Sequence, residues 1–205
     1  MTLVFDMLTE LEAIRRSVGP GEGETVAVTL SRTYDADPDD VWDALTNPER
    51  LPRWFSQVTG DFRVGGTFQI QGNAGGEILR CDRPTWLSLT FGGPESILDL
   101  RLTAEGERTT LELRHAVPSA MAGGGAGALY VGPGWDGALL GLAIHLRGEV
   151  IGDPFEAANS PEVIEFNKGS IDRWTAAAEA SGTVTPEALA QARAVSIQQF
   201  TVLPE

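Results

Sequence analysis

From Glu24 the chain takes up a period of two: Val26, Val28 and Leu30 alternate with Thr25, Ala27 and Thr29. That is the pattern of a strand with one buried face. Before it, Leu8, Leu11 and Ile14 recur at helical spacing and Gly19-Pro20-Gly21 closes the segment. Residues 1–23 therefore read as a short helical extension. After the strand, Asp37-Pro38-Asp39-Asp40-Val41-Trp42 has the form of a helix start, with a capping acid, proline in the first helical position and acids in the first turn. Asn47-Pro48-Glu49 repeats that form, so two short helices are expected before the next strand.

Between residues 61 and 117 the runs 67–71, 77–81, 86–91, 97–102 and 109–115 are separated by turn chemistry: Gly65-Gly66, Gly72-Asn73-Ala74-Gly75-Gly76, Arg83-Pro84, Gly92-Gly93-Pro94 and Glu105-Gly106-Glu107. Connections this short suit hairpins, so the sheet should be antiparallel. A glycine-rich stretch, Gly123 to Gly127 and Gly132-Pro133-Gly134, reads as a flexible loop leading into a long helix over 135–149. At about 100° per residue, Trp135, Ala138, Leu139, Leu142 and Leu146 share one side of that helix, while Leu140 and Ile144 lie on the other. A helix apolar on two sides must be covered on both. The segment 161–181, with Ile164, Phe166, Ile171 and Trp174, and the helix over 186–199 begun by Thr185-Pro186-Glu187 are the expected cover. Strand, two short helices, antiparallel meander and long helix make a helix-grip order, in which the space between sheet and helix can remain a cavity.

Arg32, the Pro38–Trp42 stretch, Ala44-Leu45-Thr46-Asn47-Pro48-Glu49, Trp54-Phe55, Val64-Gly65-Gly66 and Gly134-Trp135 together resemble the START-like SRPBCC superfamily, and within it the bacterial branch related to the activator of heat-shock-protein-90 ATPase. The resemblance spans residues 24–149 and implies an α+β helix-grip fold: a curved antiparallel sheet around a long helix, here with helical extensions over 1–23 and 150–205. It implies a binding protein for a small hydrophobic or aromatic molecule (carrier, sensor or sequestration protein, including self-protection). Within the same superfamily stand a polyketide cyclase or dehydratase using the same cavity, and a co-chaperone-like interaction module. The eukaryotic co-chaperones carry a lysine-rich motif, and Lys168 is this chain's sole lysine.

Charge narrows the partners. Fifteen basic against 29 acidic residues leave 205 residues at −14, which offers no basic footprint for nucleic acid or anionic lipid. One lysine, followed by Gly169, excludes a Walker motif, and one cysteine, Cys81, excludes a disulfide framework or CxxC pair. No signal peptide or span of about 18 apolar residues is legible, so a cytoplasmic protein is expected.

The acids at 35–40 miss the EF-hand glycine and terminal acid, and GxSxG, HExxH and SxxK are absent. No metal or cofactor is therefore expected. Of the two histidines, His145 flanks the helix stripe. His115 is in phase with Leu111 and Leu113 and is the one weak catalytic candidate; Tyr34, Glu77 and Asp99 are further polar candidates. Trp54 and Trp135 fall where the resemblance places the cavity rim and the start of the long helix. The expected ligand-binding set is Trp54, Phe68, Leu89, Leu100, Leu113, His115, Trp135, Leu139 and Leu142, around a space of about 300–1,000 Å³.

Overall fold

The computed structural model describes residues 6–150 and 152–202, so the first five residues of the expected N-terminal helix lie outside the described residues, as do position 151 and positions 203–205 of the C-terminal extension. The Asp6 carboxylate accepts from the Leu8 and Thr9 amides at 3.0 and 3.1 Å and starts α1 (Met7–Glu12). The expected helix stops there. β1 (Arg15–Pro20) instead pairs with β2 (Thr25–Tyr34), from Arg15 opposite Ser31 to Pro20 opposite Val26. β1 is the edge of the sheet, where a terminal proline lacking its N–H is tolerated.

The acidic run builds α2 (Pro38–Thr46), with Asp37 accepting from the Asp40 amide at 2.9 Å. The second expected helix shrinks to a 3-10 turn, Leu51–Arg53. The meander follows: β3 (Val58–Gly60), β4 (Thr67–Ile70), β5 (Gly75–Asp82), β6 (Trp86–Thr90), β7 (Ile97–Glu105) and β8 (Arg108–Pro118). All pairings are antiparallel, in the order β1-β2-β8-β7-β6-β5-β4-β3. β3 was not expected, because three residues with one buried side chain are too short to show a period. Gly75 and Gly76, expected in a turn, belong to β5. A Cβ on Gly76 would sit 1.9 Å from the Thr90 carbonyl oxygen, so glycine here permits close strand approach.

After β8 come α3 (Ser119–Ala122), a 3-10 turn Gly124–Gly127 and α4 (Ala128–Leu146). Two expectations are corrected here. The glycine run is not a loose loop: Gly125 is buried, and a Cβ on it would lie 2.6 Å from Thr183 Oγ1. The long helix begins at Ala128 rather than 135, and Pro133 lies inside it. Burial of Leu129, Gly132 and Pro133 outweighs the poor helix propensity of glycine and proline. The chain closes with α5 (Pro154–Ala158), α6 (Pro161–Ala180) and α7 (Pro186–Thr201).

One side of α4 faces the sheet; α6 and α7 cover the other, leaving Leu140 and Ile144 each 2% exposed. Gly132 lets α6 approach: a Cβ there would stand 2.4 Å from the Trp174 ring. Beside it Asp136 Oδ2 accepts from Arg16 Nε of β1 at 2.8 Å, Ser170 Oγ at 2.5 Å and Trp174 Nε1 at 3.1 Å. One carboxylate oxygen thus ties the edge strand, the long helix and the C-terminal extension together. The architecture is the α+β helix-grip fold, with extensions docked on the outer side of the gripped helix.

Candidate ligand cavity

Alternation along each strand sends one set of side chains toward α4: Leu87 and Leu89 on β6, Leu98 and Leu100 on β7, Leu111 and Leu113 on β8. From α4, Trp135, Ala138, Leu139 and Leu142 meet them at helical spacing. They do not close the gap. An apolar cavity of about 300 Å³ remains, its far end formed by Leu45, Trp54, Phe68 and Ile70 and its margin by Phe62, which is 44% exposed. Phe55 and Phe91, both half-buried, complete the aromatic lining.

Polar groups on this wall are few and mostly committed. Trp54 Nε1 donates to the Ala44 carbonyl at 3.1 Å, Trp135 Nε1 to His115 Nδ1 at 3.2 Å, and Thr46 Oγ1 to the Trp42 carbonyl at 2.7 Å. Among the described residues, the only other lining side chain besides Thr46 that is neither aliphatic nor aromatic is Cys81. Among the described residues no carboxylate, histidine, lysine or arginine lines the cavity.

Eight of the nine expected residues, Trp54, Phe68, Leu89, Leu100, Leu113, Trp135, Leu139 and Leu142, line this one space. His115 does not, and it stands behind Trp135. Trp54 is buried rather than on the rim, and Trp135 lies in the second turn of α4 rather than at its start. Phe62, Val58, Ile70 and Ile78 also line the cavity and were missed. The apolar alternation of β4 around Phe68 and Ile70 was a readable signal; Val58 and Phe62, on a three-residue strand and a loop, gave none.

The polar candidates are all accounted for structurally. An indole N–H can only donate, so His115 Nδ1 is the acceptor and its proton sits on Nε2, shared with Ser96 Oγ at 2.8 Å. Burial lowers its pKa to about 4, which keeps the ring neutral. Its partners are an indole and a hydroxyl, with no acid beside it. Tyr34 donates to the Leu139 carbonyl at 3.2 Å, and burial raises its pKa. Asp99 accepts from Trp86 Nε1 at 3.0 Å, away from the cavity, and Glu77 is exposed. His145 accepts from Arg50 Nε at 2.9 Å; partial burial and the adjacent Arg50 lower its pKa. In the acidic run Asp40 pairs with Arg50 at 2.6 Å and Asp39 with Arg83 at 3.3 Å. Among the described residues no group of three His, Cys, Asp or Glu is gathered in metal-ligand fashion.

The model of the family described as "Activator of Hsp90 ATPase homolog 1-like protein" matches residues 35–147, more than half of the chain. Among solved structures, CalU16 from Micromonospora echinospora is similar in its crystal form at 36% identity and TM-score 0.67, covering 82% of this chain and 99% of CalU16. Its solution structure gives 38% identity and TM-score 0.70, over 82% and 97%. DynU16, a protein of the dynemicin biosynthetic locus, is 25% identical with TM-score 0.52, over 62% of this chain and 49% of its own. No curated protein matches.

Proposed function

Since the chain belongs to the activator-of-Hsp90-ATPase homolog 1-like family, within the START-like SRPBCC fold, we propose that it binds a small, neutral, hydrophobic or aromatic molecule in the space between the sheet and α4, as a carrier, sensor or sequestering protein. The observation that carries this reading is an apolar cavity of about 300 Å³ left open between the sheet and α4. Interiors pack to crystal-like density, and unfilled apolar volume costs stability, about 24 cal/mol per Å³ in cavity-forming substitutions. A void on this scale is therefore explained by an occupant. The seven aromatic side chains on the wall, Trp42, Trp54, Phe55, Phe62, Phe68, Phe91 and Trp135, favour flat or extended apolar matter.

An acid–base enzyme would need a titratable pair facing the substrate. His115 stands behind Trp135, and its partners are Ser96 and Trp135. The binding reading is the better supported. The similarity to DynU16 fits a role beside small-molecule biosynthesis. A single free thiol, Cys81, fits a reducing compartment such as the cytoplasm, and among the described residues no helix is long and apolar enough to cross a membrane.

The test is to denature freshly purified protein and identify what is released by mass spectrometry. A stoichiometric apolar small molecule is the expected result. Protein that carries nothing and also fails to bind a neutral apolar fluorophore overturns the proposal.

A further inference from the structure

The space between sheet and α4 does not end at Trp135. A second apolar cavity of about 180 Å³ lies beyond it, walled by Val28 of β2, His115 and Val117 of β8, and Ala122, Ala128 and Val131 from the helical side. The two cavities share their walls in a regular way. Along α4, Ala128 and Val131 continue the stripe of Trp135, Ala138, Leu139 and Leu142 at helical spacing. Along β8, His115 and Val117 continue the alternation of Leu111 and Leu113. One helix stripe and one strand face therefore line both.

Trp135 lines the first cavity and His115 the second, and the Trp135 indole from α4 donates across to His115 Nδ1 from β8 at 3.2 Å. Phe91 packs against both rings, with centroids 5.1 Å from Trp135 and 5.6 Å from His115. Three side-chain rings therefore meet where the two linings adjoin. Their meeting also sets a ring-nitrogen acceptor between the two cavities, at present held by the indole. If the indole swings aside, His115 Nδ1 becomes an acceptor inside the apolar channel, its tautomer still fixed by Ser96 at Nε2, 2.8 Å away. A buried acceptor without a donor is costly, so an occupant that displaces Trp135 must bring a donor of its own.

Resting on the proposed ligand cavity, we infer that the two cavities are subsites of one channel closed by the Trp135–His115 pair, and that the ligand is an elongated neutral molecule with an apolar body and one hydroxyl or N–H group partway along it, donated to His115. The main cavity alone, at about 300 Å³, stands at the lower limit for small-molecule sites; the second subsite brings the channel well inside that range.

The experiment is displacement of N-phenyl-1-naphthylamine by straight-chain alcohols from hexanol to hexadecanol, primary and with the hydroxyl mid-chain. Each methylene buried should tighten binding about fourfold. In the wild type the gain should continue to chains that overfill the main cavity, and a mid-chain hydroxyl should bind about tenfold better than a terminal one of the same length. Ala128→Leu and Ala122→Leu, which fill only the second subsite, should leave naphthylamine and hexanol affinities within twofold and stop the gain at a shorter chain. Equal stopping lengths in wild type and both variants, with naphthylamine still bound, would overturn the channel and leave the main cavity standing. Failure of the wild type to bind naphthylamine at all would remove both readings.

Discussion

Two buried titratable side chains set opposite pH dependences, and the difference comes from what each is bonded to. His115 has a folded-state pKa of about 4 because burial penalises the imidazolium; the unfolded value is about 6.5. Between those values the unfolded chain binds the extra proton, so stability is full above about pH 6.5 and is lost as pH falls toward 4. Asp136 runs the other way. Burial raises its pKa to about 6 despite the Arg16 charge and the Ser170 and Trp174 bonds that pull it down, and among the described residues its Oδ1 has no hydrogen-bond partner. The folded state then holds the proton more tightly, and its contribution declines as pH rises from about 4 to 6. Asp136→Asn should remove that decline. Its unfolding free energy relative to wild type should rise by about 3 kcal/mol across this window, measured by denaturant titration at a series of pH values. A constant offset between variant and wild type would show that Asp136 keeps an ordinary carboxylate pKa. His115→Gln should instead flatten the loss between pH 6.5 and 4, and an unchanged acid limb would show that His115 does not titrate as argued.

At the scale of elements, the sequence was most legible where one physical signal dominated. Period-two alternation marked β2 and the inward face of β8, turn chemistry marked β6 and β7, and the paired stripes on α4 pointed to a cover on its far side. It misled where tertiary contact overrode local preference. Gly124, Gly125 and Gly132 look like loop residues, but they lie against Thr183, Ser181 and Trp174, residues some 40 or more positions away that no local pattern connects to them. β1 was hidden for the same reason, since its pairing with β2 is what makes it a strand. His115 was in the expected phase, but phase gives the face of a strand and not which cavity along it a side chain enters. The α4–α6 seam offers a direct check. A Cβ at Gly132 would lie 2.4 to 2.6 Å from three atoms of the Trp174 ring, a buried side chain with little room to yield. Gly132→Ala should therefore cost about 1–3 kcal/mol as an overpacked core substitution, although alanine is the better helix former by about 1 kcal/mol. A thermal midpoint equal to or above wild type would mean that the seam is looser than described.

For the whole molecule, the contacts between the helix-grip unit and its C-terminal extension predict one stability unit. The extension covers Leu140 and Ile144 and supplies two of the three donors to Asp136. Burial of each such aliphatic side chain contributes roughly 1.5–3 kcal/mol, against a typical net stability of about 5–15 kcal/mol. Truncation after Arg147 should give an aggregating or unfolded product, followed by size-exclusion chromatography and circular dichroism. A monomeric product with an unchanged unfolding midpoint would make the extension an appendage instead. The same architecture explains how a cavity can persist: α4 is fixed from outside by α6, α7 and the Asp136 cluster, so its inner stripe need not collapse onto the sheet. That division, a rigid outer seam and an open inner face, is the central claim. Its most direct measurement is fluorescence titration of wild type and Ala138→Phe with N-phenyl-1-naphthylamine, Ala138 being a small residue on the cavity wall. The wild type should bind one equivalent, while the variant, folded by circular dichroism, should lose affinity by at least about tenfold because the ring occupies the site. Equal binding by both proteins, or none by the wild type, would contradict a ligand cavity between the sheet and α4.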